Sequence, residues 1–185
     1  EPGTTLPAGS TARLDVGPDA KGAVGALAGA RYGTESMTMP VVAVTGTNGK
    51  TTVAYLIERL GTAAGRKVGL LGTVAYRWPG VSRDATLTTP DCLTIHESLG
   101  AMAAAGCDLA VMEASSHALD QDRLAGLTFA AAVFTNLTQD HLDYHKDMAS
   151  YFEAKAKLFR RYLARPENAV LNFDDPFGLT LLREF

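Results

Sequence analysis

The sequence predicts an α/β fold, a mostly parallel sheet flanked by helices, on three observations. Apolar or β-branched runs recur at Val41–Val44, Val68–Val74, Leu109–Met112, Ala131–Phe134 and Ala169–Leu171. Segments with helical spacing lie between most of them. Each polar motif follows an expected strand end or opens the element after it. Apolar strands alternating with helices imply a sheet covered on both faces. In such sheets, ligands bind beyond the carboxyl ends of the strands.

The elements follow in order. Residues 1–38 are rich in Gly, Ala, Thr and Pro, with one weak helical stretch from Ala20 to Ala30. They read as a linker or the remnant of an N-terminal domain, and 39–185 as the main domain. Val53, Leu56, Ile57, Leu60 and Ala64 keep helical spacing, as do Leu99, Met102 and Ala103, with Gly106 as a C-terminal stop. Leu87 to Asp91 precedes the second of these helices, with Thr89 as N-cap and Pro90 at the first helical position. A last helix is expected from Pro176 to Phe185. The sequence breaks off inside it, so the domain is expected to be incomplete.

Composition narrows the classes. The chain has 185 residues, 46% hydrophobic and 20% charged, with a net charge of −3. That is one ordinary globular domain with no basic footprint for nucleic acid. No apolar run approaches the ~20 residues needed to span a bilayer. The first residues show no charged-then-apolar leader, so a cytoplasmic location is expected. Cys92 and Cys107 fit no metal spacing and read as reduced, small hydrophobes.

The most informative stretch is Val41 to Thr52. A β-branched run leads into Gly46-Thr47-Asn48-Gly49-Lys50-Thr51-Thr52 and then a helix. The glycines allow a tight turn and close approach to a polyphosphate. The helix start offers unpaired N–H groups. Lys50 can reach β- and γ-phosphates, and a Thr hydroxyl can hold Mg²⁺. The strict P-loop has Gly five positions before its second Gly. Here that position is Val44.

Other groups gather at later strand ends. Glu113 stands where a nucleotide-bound Mg²⁺ would need a second protein ligand. Ser115, Ser116 and His117 follow it, but without the Gly-x-Ser-x-Gly elbow of a hydrolase. Asp140, His141, Asp143 and His145 crowd six positions after the fourth run. His141 and His145 are one helical turn apart, but Leu142 stands where a zinc protease has Glu. This density favours a metal or phosphate role for His141.

Lys155 has Tyr151, Phe152, Leu158 and Phe159 at helical neighbour positions, whereas Lys157 has Glu153, Ala154, Arg160 and Arg161. Lys155 therefore points from an apolar face. Such a lysine either snorkels outward or has its charge chemically managed. Desolvation favours the neutral amine, which can react with CO₂ to a carbamate able to bind Mg²⁺. Arg123, with Gln121 nearby, could clamp a carboxylate or phosphate, or simply lie on the surface.

Taken together and in this order, these motifs resemble the central ATP-binding domain of the Mur ligases. The likeness runs from about Pro40 to Phe185. Thr45 to Thr52 is the pattern common to the family. Thr88-Thr89-Pro90, Glu113 to His117 and Thr135 to His145 point more narrowly to the tripeptide synthetases within it. Glu153-Ala154-Lys155 matches the family's carbamylated lysine, and Asn172-x-Asp174-Asp175-Pro176 also fits.

The resemblance implies roles by position. Gly46, Thr47, Asn48, Gly49, Lys50, Thr51 and Thr52 would bind ATP. Thr51, Glu113, His141 and carbamylated Lys155 would hold Mg²⁺, with Lys50, His141 and Lys155 catalytic. Thr88, Thr89, Ser115, Gln121 and Arg123 would contact UDP-N-acetylmuramoyl-L-alanyl-D-glutamate. Leu87 stands where many relatives carry Asn, so a side-chain contact there is lost. The implied reaction is ATP-dependent amide formation through an acyl phosphate, adding diaminopimelate or lysine in peptidoglycan precursor synthesis. A cytoplasmic monomer without membrane insertion is expected. No stretch matches the family's C-terminal domain, and these residues alone are expected to be inactive. The alternatives are a folylpolyglutamate synthase-type ligase or a nucleotide-binding module without ligase chemistry.

Overall fold

The computed structural model describes residues 19–185, so the first 18 residues of the expected linker lie outside it. One seven-stranded sheet has the order β4-β3-β2-β5-β1-β6-β7. Its parallel part is β1 (Val41–Thr45), β2 (Val68–Leu71), β5 (Leu109–Glu113), β6 (Ala131–Phe134) and β7 (Ala169–Leu171). The period-2 alternation of strands sorts their side chains onto two faces. Val41, Ala43, Ala110, Met112, Ala132 and Phe134 join the larger core. There they meet α3 (Cys92–Ala104), α4 (Ser116–Asp120) and α6 (Met148–Lys157). Val42, Val44, Val111 and Val133 face the other way, toward Ala54 and Ile57 of α2 (Lys50–Ala63).

Three expectations are corrected. The run expected to be a strand through Val74 ends at Leu71, because the chain turns there into a hairpin. That hairpin is β3 (Ala75–Trp78) and β4 (Val81–Asp84), antiparallel to each other and joined to β2 through β3. Secondly, α3 starts at Cys92 with Asp91 as N-cap, its carboxylate accepting from Thr94 N at 3.0 Å. Thr89 is not the cap, because its hydroxyl is engaged on β5, as described below. Thirdly, α2 buries only part of the stripe that defines its period: Val53 and Ile57 pack on the core. Leu56 and Leu60 are exposed, Leu60 at 69%, while Ala54 and Glu58 lie inside. Glu58 is buried because Arg77 of β3 pairs with it through two guanidinium nitrogens. A charge can stand there only with such a partner.

The weak helical stretch near the start is a full helix, α1 (Ala20–Tyr32), capped by Asp19 and packed against α3. The expected final helix is α7 (Pro176–Glu184), with Asp175 as N-cap and Pro176 in the first turn. No helix among the described residues is long and apolar enough to cross a membrane. Both cysteines are free.

Candidate functional site

Parallel pairing brings the carboxyl ends of β1, β5 and β6 side by side. The loop after β1 is stitched to the loop after β6. Thr47 N donates to Asn136 O at 2.8 Å and Asn48 N to Asn136 Oδ1 at 3.0 Å. Thr135 Oγ1 donates to Asn48 O at 2.6 Å, and Thr138 N to Thr47 Oγ1 at 3.0 Å. Thr47 and Asn48 therefore spend their N–H groups on the scaffold. The N–H groups that can meet an anion are those at the start of α2, whose N-cap Gly49 (φ 83°) supplies no side-chain cap. A helix start left open in this way is a ready anion site.

Lys50, the first residue of α2, folds back over the loop. Its Nζ donates to Gly46 O at 3.0 Å and Thr47 O at 2.9 Å. Burial pulls its pKa down, while Glu113 and Asp140 nearby pull it up. Lys155 reaches the same Gly46 oxygen from α6, at 2.8 Å, and is 1% exposed. It does not snorkel. Burial, then the Lys50 charge, hold its pKa well below the ordinary lysine value, with only Asp140 opposing. Two ammonium groups sharing one carbonyl repel, and the more deeply buried Lys155 is the one pushed further toward its neutral form. Its Nζ also lies 4.5 Å from the centre of the Tyr151 ring.

Glu113 ends β5, one residue beyond the expected strand, and is fully buried. Thr51 Oγ1 donates to its Oε2 at 3.0 Å, so the first two candidate Mg²⁺ ligands are joined. Thr73, which sequence reading missed, donates from its N to Oε1 at 2.9 Å and from its hydroxyl to Oε2 at 3.0 Å. Gly72 leaves room for this grip, since a Cβ there would sit 2.5 Å from Glu113 Oε1. No local pattern could reveal Thr73, because its partner is 40 positions away. Thr73→Val is expected to destabilise the protein by about 1–3 kcal/mol, since a buried carboxylate loses a donor. Thermal unfolding checks this, and an unchanged Tm would mean that the hydroxyl contributes nothing.

Among the described residues, no three His, Cys, Asp or Glu side chains converge as a metal cluster. Mg²⁺ asks for less. It keeps several waters and takes one or two carboxylates plus substrate phosphates. The Thr51–Glu113 pair fits that demand. His141 stands further out, with its side chain 47% exposed and its Nε2 3.5 Å from Asp140 Oδ2. Its ring centroid lies 4.9 Å from that of His117. His141 adopts φ 52° and is the N-cap of α5 (Leu142–His145), giving it no side-chain cap.

The remaining candidates form a second group. Thr88 Oγ1 accepts from Thr73 at 3.1 Å. Thr89 Oγ1 donates to Glu113 O at 2.8 Å and accepts from Ser115 N at 2.9 Å, so its buried hydroxyl is fully used inside the chain. Ser115 Oγ caps α4 through Ala118 N. Arg123 clamps Thr89 O and Gln121 Oε1, and Gln121 reaches Tyr144 Oη. Clefts of about 320 and 410 Å³ flank the Met37–Pro40 segment, but no residue of the phosphate loop lines them.

Fold and site together define a mostly parallel α/β domain with an open helix start at the sheet's carboxyl end, a lysine folded over the loop before it and a buried carboxylate joined to a hydroxyl. The family model for the Mur ligase middle domain matches residues 44–185, and the chain belongs to this family. A relative from Lawsonia intracellularis, a UDP-N-acetylmuramoyl-L-alanyl-D-glutamate–2,6-diaminopimelate ligase, is 50% identical over 89% of this chain. The match covers 34% of that relative, so the chain spans about a third of the length of the curated relatives it matches. A solved structure of a ligase of the same name superposes with a TM-score of 0.77 at 35% identity, over 91% of this chain and 34% of that one. Mycobacterium tuberculosis folylpolyglutamate synthase superposes with a TM-score of 0.67 over 90% of this chain and 44% of that one. At 21% identity this shows a common fold.

Proposed function

We propose that this chain is the ATP-binding part of a cytoplasmic, monomeric ligase that joins 2,6-diaminopimelate to UDP-N-acetylmuramoyl-L-alanyl-D-glutamate. Residues 39–185 form part of its central domain, and 1–38 a linker or N-terminal remnant. The observation that carries the reading is the uncapped start of α2, with Lys50 over the loop and Thr51 joined to Glu113. The names of relatives at half identity favour diaminopimelate over lysine as the added amino acid.

The physical problem is that a carboxylate must approach a polyphosphate, and the two repel. The α2 N–H groups and Lys50 hold the phosphates and take up charge as the γ-phosphoryl moves to the substrate carboxylate. Lys50 then exchanges the Gly46 and Thr47 carbonyls for phosphate oxygens. Bound Mg²⁺ would supply further neutralising charge, held by Thr51 and Glu113, with His141 and carbamylated Lys155 for a second ion. Gln121 and Arg123, with Thr88, Thr89 and Ser115 shaping the wall, orient the muramoyl dipeptide. The acyl phosphate so formed is attacked by the incoming amine, which releases phosphate.

The test is ADP release by the full-length protein, with and without UDP-N-acetylmuramoyl-L-alanyl-D-glutamate and diaminopimelate. Release that needs both is the expected result. Equal release in their absence would make the chain a nucleotide-binding module and end the ligase reading.

A further inference from the structure

Two buried polar atoms beside Tyr151 have no hydrogen-bond partner among the described residues, Ser116 Oγ and His145 Nε2. Ser116 opens α4 and is 1% exposed; His145 closes α5 and is 6% exposed. Leaving a buried polar group unpaired costs about 1–3 kcal/mol. Two such groups in one place call for a shared partner.

Tyr151 connects them to Lys155. Its ring centroid is 5.0 Å from that of His145 and 4.5 Å from Lys155 Nζ. Its hydroxyl bonds Thr47 Oγ1 at 3.2 Å and sits near Ser116, which eases the burial-driven rise of its pKa. The His145 ring centroid is also 5.5 Å from that of His117, so the unpaired Nε2 sits in a packed aromatic cluster beside Tyr151. A serine hydroxyl and an imidazole carrying a proton on Nε2 are both donors. An ammonium offers them no acceptor, whereas a carboxylate on the lysine nitrogen offers two oxygens.

We propose that Ser116 Oγ–H and His145 Nε2–H are positioning donors for a carbamate on Lys155. This rests on the reading of Lys155 as carbamylated in the proposed function. In the step that makes it, the lone pair of neutral Nζ attacks the carbon of CO₂. One C=O electron pair moves onto oxygen, and a proton leaves nitrogen for water. The product keeps one N–H, which still donates to Gly46 O, and carries one negative charge between two donors. The same geometry then turns the two unpaired atoms into satisfied ones and fixes the direction in which the carbamate faces.

The full-length protein equilibrated with ¹³C-bicarbonate tests this by ¹³C NMR. A carbamate resonance that Lys155→Arg abolishes is expected. Ser116→Ala and His145→Leu should each raise the bicarbonate concentration for half occupancy about five- to tenfold. His145→Gln, which keeps an N–H, should stay within about twofold of the wild type. Half occupancy at the wild-type concentration in both Ser116→Ala and His145→Leu would overturn the proposal. Absence of any Lys155-dependent resonance in the wild type would overturn it together with the carbamate reading. That result would leave the dependence of ADP release on the muramoyl dipeptide as a separate question.

Discussion

Lys50→Met is expected to lower kcat/KM for ATP by about 10²- to 10³-fold, on the order of 3–4 kcal/mol of transition-state stabilisation. The argument starts from where the cation is held. Lys50 Nζ is half-buried against the Gly46 and Thr47 carbonyls, and its pKa is drawn down by that burial. Glu113 and Asp140 oppose that shift by favouring the ammonium form. A cation kept partly out of water interacts with phosphate more strongly than one in bulk solvent. It is also already in place when charge shifts during phosphoryl transfer, so little reorganisation is needed. Lys50→Arg is not expected to restore activity. A planar fork does not replace a compact ammonium bonded to two carbonyls only four and three residues behind it. Lys157→Met is the control. That lysine lies on the outer side of α6, paired with Asp120, and its loss should change the rate less than twofold. Steady-state kinetics with ATP varied decide the matter. A drop below tenfold for Lys50→Met would remove Lys50 from the phosphate site.

How much of this was legible in the sequence depends on how far apart the partners lie. The Val41-to-Thr52 unit is contiguous, so strand, loop, lysine and helix start could be read in one pass. Lys155 was legible because a helical wheel needs only neighbours within four positions, and it is indeed 1% exposed. The contacts of Glu113 with Thr73 and of Asn48 with Asn136 span 40 and 88 positions, and no local pattern encodes them.

The hairpin did leave a signal. Pro79-Gly80, a turn dipeptide, lies between β3 and β4. Missing it had a second consequence on α2. Periodicity gives the pitch of a helix but not which side is inside, and the side was set by Arg77 of β3 pairing with Glu58. Without β3, Glu58 looks like a surface residue and Leu60 like a core one. In the structure their places are exchanged.

Gly46→Ala should lower both stability and nucleotide affinity, and a second glycine separates the two causes. Gly46 has φ 141°, a backbone conformation that side chains rarely adopt. That alone costs about 1–3 kcal/mol. A Cβ there would also fall 1.9 Å from Thr135 Oγ1 and 3.0 Å from Asn136 N and O. Thr135 cannot simply swing away, because its hydroxyl holds Asn48 O at 2.6 Å. Displacing it loosens the seam between the β1 and β6 loops and moves the Gly46 carbonyl that receives both Lys50 and Lys155. Gly65 is the comparison, with φ 80° and nothing within 4 Å of an added Cβ. Gly65→Ala should carry only the backbone cost, a Tm fall of about 2–4 °C per kcal/mol in a chain of this size, with ATP affinity unchanged. Gly46→Ala should fall further in Tm and bind ATP at least tenfold more weakly. Equal Tm losses with unchanged ATP binding in both variants would show that the Thr135 contact is relieved at no cost and that the Gly46 carbonyl does not set the position of the lysines.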